Sequence, residues 1–299
     1  MTTRLWHLIR RALASGTQYR VLPRARWDDL YPIDCTVFGP HLAAGTLVVR
    51  LPGDDGAEFL HPVATCFRIL ARLQLDDGLT RANRGTISAA VRELLAAQQE
   101  DGSWRYPVRV ARYGVAPGWS SAMAQGLATS ALLRSADALP AAEAAVARSR
   151  VDAAIAHLLR PVEDGGCTTY DADGLPFPEE CPATPAPHIL NGAGFALLGL
   201  HDYDLRFGGD AAARTARRLN DLLPRWDIGY YSRYDMLGRS PSSPDYHRLH
   251  IALLLVFEEL YGMEFGIYAR RFHDYERRLR SRLRARVMLA VDRLLITRE

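Results

Sequence analysis

Apolar positions recur at spacings of three and four through most of the chain after residue 61. The runs are Val63–Leu75, Ile87–Ala97, Ala122–Leu139, Ala144–Leu159, Ile189–Leu200, Ala211–Leu223 and Leu249–Tyr261. This period follows the helical repeat, so each run predicts a helix with a buried face. A last stretch, Ile267–Ile296, reads as one more helix. Gly- and Pro-containing breaks punctuate the series at Asp101-Gly102, Ala116-Pro117-Gly118, Asp164-Gly165-Gly166, Gly208-Gly209 and Ser240-Pro241. Between helices lie short aromatic segments, Trp104–Val110, Cys167–Tyr170 and Gly229–Tyr234. Helices of this length, paired through short connections, predict a mainly α fold: an (α/α) toroid or barrel of antiparallel hairpins, with a simple bundle as the alternative. Residues 1–60 break the pattern. After a short basic amphipathic start they are rich in Pro, Gly and Asp, with one strand-like run, Thr46–Leu51. The expected division is an irregular arm with minor β structure over 1–60 and an (α/α)-barrel domain over 61–299.

Composition changes this picture little. Hydrophobic residues make up 48% and charged residues 24% of the 299, the balance of a globular protein. The longest near-continuous apolar run, Ile251–Phe257, falls well short of the roughly 20 residues of a membrane span. Arg4, Arg10 and Arg11 interrupt the apolar start, which therefore does not read as a secretory leader, and a cytoplasmic location is expected. All 37 basic residues are Arg. A catalytic Lys, a Schiff base and a Walker-type phosphate loop are excluded, and every cation is a planar fork suited to carboxylates or phosphates. A net charge of +3 gives no argument for nucleic acid. Cys35, Cys66, Cys167 and Cys181 are scattered without a CxxC pair, so neither a zinc knuckle nor a disulfide framework is indicated.

Gln98, Gly102 and Trp104 match the Q-x3-G-x-W turn of terpene-cyclase toroids, but the acidic DxDD and DDxxD motifs of that chemistry are missing. No GxGxxG follows a strand and no GxSxG elbow occurs, so no dinucleotide cofactor and no serine-hydrolase site are expected. His247 and His250, at i and i+3, can bind a metal, contact a substrate carboxylate or pack a helix start; we take them as substrate contacts and expect no metal. Three segments are unusual for a plain helical core. The first, Pro117–Gly126, begins a helix at serines and carries small residues with Gln125. The second, Pro178–Pro185, places two carboxylates on a Pro-stiffened loop and leads into His188–Gly192. The third, Gly229–Asp235 followed by Ser243–His250, gathers Tyr, Arg and His around a helix start.

In this order, the blocks PGWSSAMAQG, EECPATP, HILNG with LLGLHD, SRYDMLG and DYHRLHI resemble the C-terminal catalytic domain of D-glucuronyl C5-epimerases, over roughly Arg112 to Gly262. The resemblance implies an (α/α)-barrel enzyme without a cofactor that inverts C5 of a uronic acid within a polysaccharide, D-glucuronate to L-iduronate. A base takes the C5 proton, an acid returns one on the other face, and the carboxylate must be neutralised. Tyr246 and Tyr234 are then expected to transfer protons, the phenols being activated by nearby cations that lower a pKa of ~10. Glu180 is the expected partner base or orienting group. Arg233 and Arg239 are candidates to clamp the carboxylate, and Trp119, Gln125 and Asn191 to line the sugar site. Two positions depart from the family: Cys181 stands where it has a tyrosine after the glutamate, and Ser120 replaces a tyrosine beside the tryptophan. Cys181 is thus a candidate replacement base.

Residues 265–299 carry ten arginines against four acids. This stretch is a solvated face, a track for an acidic polysaccharide or a peripheral contact with an anionic membrane. The partner expected is an acidic polysaccharide or another uronate-containing substrate, with no nucleic acid; a homodimer stays open. Three functions compete: a uronyl C5-epimerase; another (α/α)-barrel carbohydrate enzyme, either a uronate lyase or a hydrolase; and a non-catalytic glycan-binding relative.

Overall fold

The computed structural model describes residues 17–38, 46–238 and 240–296, with side chains through 292. The predicted basic start at 1–16 and Arg239 lie outside the described residues. The fold is mainly α. Helices α1 (Pro62–Leu75), α3 (Ala122–Ser135), α5 (Leu190–Phe207) and α7 (Pro244–Tyr261) pack in succession, α1 on α3, α3 on α5 and α5 on α7. Each is backed by the helix that follows it: α2 (Arg84–Ala97), α4 (Ala141–Leu159), α6 (Ala211–Trp226) and α8 (Phe265–Arg277). A further helix, α9 (Leu279–Ile296), packs on α8.

The two layers differ as their sequences require. In α5, every residue from Leu190 to Leu200 is buried, and a helix apolar all round belongs inside. In α6 the buried residues fall on one stripe, Ala212, Thr215, Ala216, Leu219, Leu222, Leu223 and Trp226. The closest approach is between α3 and α5. A Cβ on Gly126 would lie 2.5 Å from the Ala196 Cα, and one on Gly199 would overlap the Gly126 backbone. Small residues at this crossing let the two backbones touch.

Connections alternate in length. Those leaving an inner helix are short, as in 208–210 and 262–264. Those entering an inner helix are long and carry all the described two-stranded sheets. The hairpin β1 (Arg50–Pro52) and β2 (Glu58–Leu60) precedes α1; β3 (Arg105–Tyr106) and β4 (Trp119–Ser120) precede α3; β5 (Thr168–Tyr170) and β6 (Pro176–Pro178) precede α5. The elaborated loops therefore gather at the amino-terminal ends of the inner helices.

The Gln98–Trp104 turn is a structural tie. Gln98 Nε2 donates to the carbonyls of Gly102 (2.9 Å) and Arg150 (3.0 Å), and Trp104 Nε1 donates to the Leu94 carbonyl at 2.8 Å. Gly102 has φ +85°, and a Cβ there would overlap the Ala153 carbonyl, so only glycine fits. The arm is fastened similarly. Gln74 of α1 donates to the carbonyls of Tyr31 (2.9 Å) and Ile33 (2.7 Å) and accepts from the Cys35 amide at 2.7 Å. Leu30, Tyr31, Ile33 and Cys35 join the same core as the helices.

Three sequence expectations change in detail. The helix expected through Leu139 ends at Ser135 and continues as a 3-10 turn, Ala136–Ala138. The strand-like run Thr46–Leu51 pairs only at its end, as Arg50–Pro52. The single helix expected over Ile267–Ile296 is two, broken at Arg278, whose ψ of 117° is extended.

Candidate active site

A cavity of about 550 Å³ opens between the four inner helices, lined by Val63 and Phe67 of α1, Met123 of α3, Asn191 and Phe195 of α5, and Tyr246 and Leu249 of α7. Each of these lies in the first two turns of its helix. The positive ends of four helix dipoles thus surround one space, a field that favours an anion. Tyr19, His61, Tyr106, Trp119 and Glu180, supplied by the connections and the arm, complete the polar and aromatic wall.

Glu179 and Glu180 directly follow β6, and their side chains go to different partners. Glu179 turns away and is fully buried. It accepts from Thr169 Oγ1 (3.0 Å) and the His188 amide (3.0 Å), and pairs with His188 Nδ1. Glu180 turns to the cavity, where Asn191 Nδ2 donates to Oε2 at 3.0 Å and the Tyr234 hydroxyl to Oε1 at 3.4 Å. Its side chain fills the space a Cβ at Gly192 would need. Burial pushes the carboxyl up to about 7, against the opposing pull of the two hydrogen bonds. It therefore exchanges protons near neutrality, as an acid-base group should.

Tyr246 stands in the first turn of α7. Ser243 caps that helix, accepting from the Tyr246 amide at 3.3 Å, and Pro244 occupies its first position. Tyr246 is 39% exposed and lines the cavity, and its ring packs on Tyr234 with centroids 4.8 Å apart. Both phenols are raised above the ordinary tyrosine value, first by burial and then by the charge of Glu180. This corrects the expectation of cation-activated phenols. Arg112 does approach the Tyr234 ring, at 5.9 Å, but its guanidinium is bonded at 2.7 Å to buried Asp235. The tyrosines are neutral hydroxyl donors.

Of the other expected site residues, Trp119 and Asn191 line the cavity. Trp119 stacks on Tyr106, with centroids 4.5 Å apart. Gln125 is elsewhere: fully buried, it accepts from the Trp104 amide (3.2 Å) and donates to the carbonyls of Gly102 (2.9 Å) and Ala154 (3.2 Å). His247 and His250 are also fully buried, around Ser232, whose Oγ lies 2.8 Å from His247 Nδ1 and 2.9 Å from His250 Nδ1. Burial pushes both imidazoles down to about 3, so they are neutral packing groups rather than substrate contacts. Cys181 is buried beside the cavity without lining it, and burial together with Glu180 and Glu179 raises its thiol to about 12. The geometry gives no support to a thiolate base. Arg233 is turned to its own loop, donating to the Gly238 carbonyl at 3.3 Å. Ser120 is buried against His157, Oγ to Nε2 2.7 Å.

Sequence reasoning missed His61, Tyr106 and Tyr19, which precede or lie outside the blocks it used. His61 caps α1, its Nδ1 accepting from the Ala64 amide at 3.2 Å. That bond leaves the proton on Nε2. Burial lowers its pKa, so the ring presents a neutral N–H. A polar residue immediately before Pro62 was a readable cap signal. Nothing local announced that the cap also lines the site.

The family model for the D-glucuronyl C5-epimerase C-terminus matches residues 98–275. Among curated proteins, the D-glucuronyl C5-epimerase of Caenorhabditis elegans is 29% identical over 198 residues, covering 56% of this chain and 30% of that protein. The chain thus corresponds to less than a third of that relative's length. Trp119, Glu180, Asn191, Tyr234 and Tyr246 lie inside the matched segment, and Tyr19 and His61 precede it. The matched segment spans more than half of the chain, which therefore belongs to the D-glucuronyl C5-epimerase C-terminus family.

Proposed function

We propose that the chain epimerises C5 of a uronic acid residue in an acidic polysaccharide, D-glucuronate to L-iduronate. The observation that carries this reading is Glu180: a buried carboxyl with its pKa raised to about 7, held by Asn191 and Tyr234 beside Tyr246 in a cavity of sugar size. The C5 hydrogen is acidified by the adjacent carboxylate, and its removal leaves an enolate-like centre. Glu180 takes that proton as the base, oriented by Asn191 and Tyr234. The neutral hydroxyl of Tyr246 returns a proton to the other face. In the reverse direction the roles exchange. Trp119, stacked on Tyr106, offers an apolar face to the sugar ring.

The described cavity lining includes no arginine, while Glu180 and Asp245 both contribute carboxyl groups to it. The converging helix termini and the His61 N–H are the described groups that offset the substrate carboxylate, while Glu180 enters the step as the carboxylate. The test is hydrogen exchange at C5 in deuterated water with heparosan-type and other uronic polymers. Inversion with deuterium uptake supports the epimerase; unsaturated, ultraviolet-absorbing products indicate a lyase; binding without exchange indicates a glycan-binding relative.

A further inference from the structure

Helix α9 presents the wrong face to solvent for an ordinary surface helix. Leu279 (51% exposed), Leu283 (46%), Val287 (60%) and Val291 (41%) follow one another at four-residue spacing along its outer side. Four residues is just over one helical turn, so these side chains form one continuous stripe. The face turned to the protein carries the small residues Ser281 and Ala285, both buried. The stripe is edged by Arg280 and Arg284 on one side and Arg286 on the other. The acid within the described part of α9 is Asp292, which is half-buried rather than exposed on the stripe. The Arg284 guanidinium lies over the Tyr230 ring, 4.0 Å from its centroid.

We propose that α9 is an interfacial helix that lays its apolar stripe into an anionic lipid surface, with the flanking guanidinium groups on the headgroup phosphates. The pattern fits this occupant and argues against three others. An acidic polysaccharide would use the arginines but leave the leucine and valine stripe in water. A second copy of this chain, joined through the same face, would set arginine edge against arginine edge. The chain's own residues 1–16 carry Arg4, Arg10 and Arg11 and no acid, so covering the stripe with them meets the same repulsion. Anionic lipid satisfies both features, because apolar burial and phosphate attraction add at an interface. No helix among the described residues is long and apolar enough to cross a membrane, so the contact is peripheral.

The experiment is co-sedimentation of the full chain with phosphatidylcholine vesicles and with vesicles that also contain phosphatidylglycerol, at low and high salt. Binding to the anionic vesicles, weakened by salt, is expected, together with at least ~10-fold weaker binding by the double variant Leu283→Glu, Val287→Glu. Both positions are exposed, so the variant should keep its circular dichroism and melting temperature, which controls for misfolding. Three results overturn the proposal: no binding to anionic vesicles by the wild type; equal binding by the folded double variant; or a lipid-free dimer that the double variant dissociates, which gives the stripe to a second copy. A variant that does not fold is replaced by Leu283→Ser, read against the same outcomes.

Discussion

Gly192 leaves empty the volume that the Glu180 side chain occupies. A Cβ at residue 192 would overlap the Glu180 Cβ and carboxylate, so the absence of one methyl group sets where the proposed base stands. Gly192 sits in the first turn of α5, one residue after Asn191, which bonds the same carboxylate. Gly192→Ala should displace Glu180 while leaving the helix intact, since alanine is the better helix former. The expected outcome is a loss of C5 exchange of roughly 100-fold with unchanged helical content, measured by NMR exchange and circular dichroism.

Tyr234 and Tyr246 should separate by pH profile. Tyr246→Phe removes the proposed proton donor and should lower the rate by ~100-fold or more at every pH. Tyr234→Phe removes a hydrogen bond that holds the Glu180 pKa down. It should therefore shift the limb assigned to Glu180 upward from about 7, with a smaller loss at the optimum. Rates measured across neutral pH decide this; an unshifted limb in Tyr234→Phe contradicts the assignment.

Glu180 also makes a stability prediction. Its folded-state pKa of about 7 exceeds the reference 4.5, so the folded chain holds an extra proton between those values. The stabilisation linked to that proton is complete below about pH 4.5 and is lost as pH rises through about 7. Glu180→Gln, which carries no charge, should be more stable than the wild type at pH 8 by about 3 kcal/mol, with the difference vanishing toward acid pH. Urea titrations at the two ends of that range measure it.

Substrate should bind with proton uptake. A uronate carboxylate brought beside Glu180 raises the glutamate further by like-charge repulsion. Affinity should then fall above neutral pH, and calorimetry in buffers of different ionisation enthalpy should report uptake at pH 7. Proton release would contradict the arrangement.

Cys181 and Gln125 give contrasting variants. Cys181→Ala should leave C5 exchange within a few-fold of wild type, because its thiol is raised to about 12 and does not line the cavity. Gln125→Leu should cost ~1–3 kcal/mol of stability by leaving the buried Trp104 amide without its acceptor. Thermal melts and rates per folded molecule separate the two effects.

The helices were legible because burial imposes a period. Leu190–Leu200 and the Ala212–Trp226 stripe carry their layer in their pattern. The break at Arg278 was not, since no Gly or Pro marks it and the turn follows from packing of α9 on α8. Within the site, Glu180 and Tyr246 stood out through motif blocks. Gln125, His247 and His250 share those blocks yet serve the core, because neighbouring positions of one helix face different sides. His61 and Tyr19 were invisible for the opposite reason: they reach the cavity from distant chain segments, and only the tertiary arrangement brings them there.

Glu180 and Tyr246 are proposed to move a proton at one sugar carbon. The most direct measurement is two-dimensional NMR of a glucuronate polymer incubated in deuterated water with the wild type, Glu180→Gln and Tyr246→Phe. Expected are deuterium at C5 and growing iduronate signals with the wild type, loss of both in folded Glu180→Gln, and loss of iduronate in folded Tyr246→Phe, where Glu180 still exchanges the glucuronate hydrogen on its own face. A wild type that leaves C5 protonated on every uronic polymer, a folded Glu180→Gln that exchanges it as fast as the wild type, or a folded Tyr246→Phe that forms iduronate as fast as the wild type, would contradict these roles.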